Sequence, residues 1–143
     1  MAKNKISFKL KNKLSELDTL CQKLEGFGES IGLSPKFIFE TNLALDELFT
    51  NIISYGYSDK KVHHITVTIS LQDNQLLFSI EDDGIPFNPL GIETPDTQLS
   101  LEERQIGGLG IHLVRKMMDR VSYQRRIDKN VITVVEFLNK DKK

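Results

Sequence analysis

Asp82-Asp83-Gly84 closes an alternating apolar run, and Gly107-Gly108-Leu109-Gly110 opens a later helical stretch. A carboxylate accepts hydrogen bonds and can read the exocyclic amine of a nucleobase. Glycines at a helix start leave backbone N–H groups open to phosphate oxygens. Together the two segments suggest a nucleotide site, with a base read at one end and phosphates held at the other. Upstream, Glu47 and Asn51 are four residues apart in a helical segment and point the same way. A polar stripe on a helix is ordinarily its wet face, so this pair gains meaning only from its company.

The elements that must position these residues follow from periodicity. Ile6, Phe8 and Leu10 alternate with Lys5, Ser7 and Lys9, the period of a half-buried edge strand. Leu14, Leu17, Leu20/Cys21 and Leu24 take helical spacing, and Gly26 to Gly32 should end that helix. Ser34-Pro35 caps the next helix, which should run to about Tyr55 with Gly56 as its stop. Its expected core face is Ile38, Leu45, Leu48, Phe49 and Ile52, with Glu40, Ala44, Glu47, Asn51 and Ser54 opposite.

Val62–Leu71 and Gln75–Asp82 read as strands around an Asp73-Asn74 turn. Leu76, Phe78, Ile80 and Asp82 share a face, so the apolar side leads directly to Asp82 while Asp83 points away. His63 and His64, being adjacent, face opposite sides and read as surface residues. Residues 88 to 106 show no period and read as a lid. A helix follows Gly110, and Val121–Ile127 and Val131–Leu138 form a hairpin around Asp128-Lys129-Asn130. The order β-α-α-β-β-lid-α-β-β predicts an α+β two-layer sandwich. Its sheet should be mixed and mostly antiparallel, with helices on one face.

Composition narrows the function classes. The 143 residues predict one domain spanning 1–143, with the lid at about 88–106. A net charge of -1 supplies no basic field to recruit nucleic acid or anionic membrane. The lone Cys21 excludes an intramolecular disulfide, and no window approaches the ~18 consecutive apolar residues of a membrane span. No apolar signal core precedes Leu14, so a cytoplasmic protein is expected.

Ala44-Leu45-Asp46-Glu47-Leu48-Phe49-Thr50-Asn51, the segment from Asp82 to Pro89, and Gly107 to Arg115 resemble, in that order, the ATPase superfamily of gyrase, heat-shock chaperones, histidine kinases and MutL. Within it the chain looks like the small anti-sigma factor serine/threonine kinases. The resemblance implies the histidine-kinase-like ATPase fold and a kinase that uses ATP and Mg²⁺. Such a kinase phosphorylates an anti-anti-sigma antagonist, sequesters a sigma factor and forms a homodimer. An ATP-binding partner-switching module with little or no transfer is the alternative.

The resemblance also implies roles for individual residues. Asp82 would bind the adenine amine, Gly84 would let the backbone approach the base, and Phe87 and Leu109 would line the nucleotide. Asn51 would bind Mg²⁺, and Glu47 would act as catalytic base. Gly107, Gly108 and Gly110 would bind phosphate, and Arg104 or Arg115 would offset phosphoryl charge. The chain departs from the pattern at two places. Pro86 stands where the superfamily usually has a further glycine, and Tyr55 stands where this branch often has histidine.

Overall fold

The computed structural model describes residues 4–91 and 114–138. Its strands are β1 (Lys5–Lys11), β2 (His64–Gln72), β3 (Gln75–Asp82), β4 (Arg120–Arg126) and β5 (Lys129–Phe137). They form a five-stranded sheet in the order β1-β2-β3-β5-β4. Each pairing within it is antiparallel, so the mostly antiparallel sheet read from the sequence is wholly so in its described ladder. Burial alternates along β2 and β3. Ile65, Val67 and Ile69, then Leu76, Phe78 and Ile80, are buried on one face.

That face meets Leu20, Leu24 and Phe27 of α1 (Leu17–Ser30) and Leu45, Leu48, Phe49 and Ile52 of α2 (Pro35–Tyr55) in one core. Each such side chain, fully buried, contributes about 1.5–3 kcal/mol. The two-layer reading therefore holds.

The helix boundaries carry a correction. α1 follows a short 3-10 turn at Leu14–Glu16 and runs on through Gly26 and Gly28. It stops at Gly32, whose φ is +82°. There Leu33 N–H donates to Gly28 O at 2.9 Å and Gly32 N–H to Glu29 O at 3.2 Å, the paired bonds of a Schellman end. Gly28 serves packing instead: a Cβ there would lie 2.8 Å from the Ile38 side chain, so its absence lets the helices close. α2 matches its sequence signals. Ser34 Oγ accepts from Phe37 N–H at 3.2 Å, and Gly56 N–H donates to Ile52 O at 2.8 Å.

The two hairpins differ. Asp73 (φ +49°) and Asn74 (φ +64°) form the expected turn between β2 and β3. Between β4 and β5 the connection is only Ile127 and Asp128, because Arg126 already opposes Lys129. The turn read from the sequence was longer and included Asn130. The register puts Asn130 within β5 instead, opposite Asp82 and only 1% exposed. Of the expected lid, Pro89–Gly91 form a 3-10 turn, and 92–106 lie outside the described residues. The helix after Gly110 is described at 114–117, with Val114 buried.

Candidate functional site

The C-terminal half of α2 supplies the first groups. The sequence placed Asn51 on the wet side of the helix, but it is 1% exposed, and Ala44 is also buried. Thr41, Ala44, Leu48 and Asn51 recur at three- and four-residue steps, so they form a second covered stripe beside the expected one. Asn51 Nδ2 donates to Glu47 O at 2.9 Å. Its Oδ1 is buried and has no hydrogen-bond partner among the described residues. A buried carbonyl oxygen left unpaired is costly, and ligand binding is one way to satisfy it. Glu47 is half-buried, and that burial pushes its carboxyl above the ordinary value, which makes it a stronger base once ionised.

Asp82 ends β3 and is 2% exposed, as its alternation with Leu76, Phe78 and Ile80 predicts. Its Oδ1 accepts from Gly84 N–H at 2.8 Å and from Asn130 Nδ2 at 3.0 Å. Burial raises its pKa, and those two hydrogen bonds oppose the rise. Both bonds fall on one oxygen, so the carboxylate is fixed in orientation and, among the described residues, Oδ2 is left over for another donor.

A close approach within the protein requires glycine at position 84. A Cβ at that position would lie 2.1 Å from the carbonyl oxygen of Gly56, just past the end of α2. Ile85 N–H donates to the same oxygen at 2.8 Å. The turn after β3 is thereby seated on the end of the helix that carries Glu47 and Asn51. Gly56 lies five positions after Asn51, about 8 Å along the helix axis.

The sequence missed the residue that organises this turn. Asn130 Nδ2 also donates to Ile85 O at 2.8 Å. Its Oδ1 accepts from Tyr123 Oη at 2.5 Å, Arg125 Nη1 at 3.2 Å and Phe87 N–H at 3.4 Å. Arg125 Nη1 donates in addition to Gly84 O at 2.9 Å. An asparagine beside Asp128 has the composition of a turn, and only the strand register reveals its inward direction. The Tyr55 ring lies 5.6 Å from that of Phe87, which follows Pro86 in the chain.

Arg115 is exposed and its guanidinium donates to the Leu90 carbonyl, which ties it to the chain after β3. Arg104, Gly107, Gly108, Leu109 and Gly110 lie outside the described residues. The structure thus brings Asp82, Gly84 and Phe87 together around Asn130, with Glu47 and Asn51 on the helix beneath.

Comparison with known proteins bears on the family and the fold. Residues 10–136 match the histidine kinase-like ATPase domain. The serine/threonine-protein kinase BtrW of Bordetella bronchiseptica is 31% identical over 101 residues, 71% of either chain. The serine-protein kinase RsbW of Bacillus licheniformis is 26% identical over 124 residues, covering 83% of this chain and 76% of its own.

Among solved structures, the RsbU and RsbW domains of a Mycobacterium tuberculosis protein superpose with a TM-score of 0.66 at 16% identity. That match covers 94% of this chain and 32% of the mycobacterial one. A blue-light activated histidine kinase from Erythrobacter litoralis gives 0.56 at 15% identity, over 90% of this chain and 42% of its own. These two likenesses bear on the fold.

Proposed function

The chain belongs to the histidine kinase-like ATPase family, among serine/threonine protein kinases such as BtrW and RsbW, and from that premise we propose that it is an ATP-dependent anti-sigma kinase. It phosphorylates a serine or threonine of an anti-anti-sigma antagonist and otherwise sequesters a sigma factor, regulating transcription in the cytoplasm as a homodimer. No helix among the described residues is long and apolar enough to cross a membrane. Among the described residues β1 stands at an edge of the sheet, which would be open to a second subunit.

The observation that carries the reading is Asp82, buried with one oxygen held by Gly84 and Asn130. In this reading the other oxygen accepts the exocyclic amine of adenine, and guanine would place a carbonyl there instead. The unpartnered Oδ1 of Asn51 is a neutral oxygen, the ligand type that suits Mg²⁺. Asn51 would hold that ion, which when bound offsets charge on the ATP phosphates. Among the described residues no cluster of three His, Cys, Asp or Glu is placed to cage a metal.

Glu47 then takes the proton of the acceptor hydroxyl as its oxygen bonds to the γ-phosphorus and the bridge to ADP breaks. The glycine cluster and the arginines of the sequence analysis complete the phosphate contacts in this proposal.

Calorimetry with Mg·ATP and Mg·GTP on wild type and Asp82→Asn tests it. The expected result is ATP binding that excludes GTP and weakens about 10- to 100-fold in the mutant, the worth of a charge-assisted hydrogen bond. Absence of ATP binding at every magnesium concentration would refute it.

A further inference from the structure

His63, in the connection between α2 and β2, has no part in the proposed phosphotransfer. Its Nε2 lies 2.9 Å from Asp59 Oδ1 and its Nδ1 3.2 Å from Asp83 Oδ1. The ring stacks on Tyr57, with centroids 4.6 Å apart. A neutral imidazole carries one N–H and one bare nitrogen, so only the imidazolium donates to both carboxylates. The sequence suggested a plain surface histidine. The structure shows a bracketed one.

The surrounding main chain is fixed. His63 N–H donates to Asn12 Oδ1 at 2.8 Å, beyond the end of β1. On the other side, Asp83 lies between Asp82 and Gly84, whose turn rests on Gly56. We propose that protonated His63 is a positioning residue: its two-sided bond ties the connection after α2 to Asp83 and holds the Asp82–Gly84 turn in its nucleotide-binding form. This role rests on the ATP reading above.

The charges around the imidazole favour its protonated state. Asp59 and Asp83 face its nitrogens and Tyr57 its plane. Arg125 of β4 lines the same cavity of about 310 Å³ but is occupied by Gly84 O and Asn130. Lys61 N–H donates to Asp59 Oδ1 at 3.1 Å. The hydrogen bond with Asp59 raises the pKa of His63 above 6.5, burial opposes it, and the hydrogen bond with Asp83 adds to the rise. A raised value means the clamp is complete below 6.5 and is lost as pH rises through the raised value. Above it, a bare nitrogen faces a carboxylate and one side of the clamp lets go.

The test combines imidazole titration by NMR, with and without Mg·ATP, and ATP calorimetry from about pH 6 to 9 on wild type, His63→Gln and His63→Arg. His63 is expected to titrate above 6.5, and Mg·ATP to raise it further, because linkage is reciprocal. Each further unit corresponds to about a tenfold loss of ATP affinity across the titration. His63→Gln should flatten that profile, and His63→Arg, charged throughout, should keep the low-pH affinity at high pH. Superimposable profiles for wild type and His63→Gln, or a His63 that titrates at or below 6.5, overturn the proposal.

Amide exchange at Ile85 separates this role from the nucleotide reading. It should quicken in wild type as pH passes the His63 pKa, beyond the intrinsic rise with pH, and be quick at all pH in His63→Gln. If ATP fails to bind at any pH, the nucleotide reading falls alone, and Ile85 exchange insensitive to His63 then overturns the clamp too.

Discussion

Two adjacent acidic pairs, Asp46-Glu47 on α2 and Asp82-Asp83 at the end of β3, meet the fold in different ways. A strand sends neighbours to opposite faces, whereas a helix turns each residue by only about 100°. Asp82 is accordingly buried and held by two donors, while Asp83 is exposed and faces His63. On the helix both acids are half-buried and both are pushed upward by desolvation. Asp46 reaches about 6, raised first by burial and then by the charges of Glu47 and Asp18, and its Oδ1 is buried without a hydrogen-bond partner among the described residues. The strand separates a site residue from its support. The helix instead sets the proposed base beside an acid whose charged form that base disfavours.

Removing the proposed base, Glu47, should have the largest effect. Glu47→Gln keeps the shape and removes the proton acceptor, so phosphotransfer should fall about 10²- to 10⁴-fold in single-turnover assays while ATP binding persists. The raised pKa places the acid limb of the wild-type pH–rate profile above 4.5, and that limb should vanish in the mutant. Equal activity of mutant and wild type would remove Glu47 from the mechanism.

Removing the support on the strand side comes next. Asn130→Ala strips donors from Asp82 and Ile85 and an acceptor from Tyr123 and Arg125. Urea unfolding should show a loss of about 3 kcal/mol, since buried partners are left unpaired. ATP affinity should fall with it. A variant of wild-type stability and affinity would show that Asp82 is oriented by other means.

Relieving the helix pair should have a smaller and opposite effect. The folded-state pKa of Asp46, about 6, lies above its ordinary 3.8, so folding favours the neutral acid. Its contribution is best below 3.8 and is lost as pH rises through 6. Asp46→Asn should therefore raise the denaturation midpoint at pH 7 and leave it nearly unchanged below about pH 4. A midpoint raised equally at both pH values would place the effect outside titration.

The smallest change lies away from both pairs. Ile127 is fully exposed at φ +44°, a conformation that penalises a β-branched side chain. Ile127→Gly trades that strain against glycine's entropy and should stabilise the chain by about 0.5 kcal/mol by urea unfolding, with ATP affinity unchanged. Loss of affinity would mean that the hairpin turn reaches the site.

Much of this molecule was legible where local chemistry and tertiary packing agree. Ser34-Pro35, the Asp73-Asn74 turn and the alternation leading to Asp82 each state their structure in a few residues. The second hairpin was misread because its turn uses isoleucine where glycine or asparagine is expected, and Asn130 resembled a turn residue. Asn51 was placed on the wet side because a polar residue on a helix gives no sign of a buried neighbour.

The sequence by itself determined the alternation, the caps, the order of elements and the acidic and glycine motifs, because each is an interaction among near neighbours in the chain. Only the tertiary structure decided that Asn130 would meet Asp82, 48 residues away, and that Gly84 would rest on Gly56. It also decided that His63 would stand between two carboxylates. Such contacts depend on sheet register and loop closure, which bring together groups that no local pattern connects.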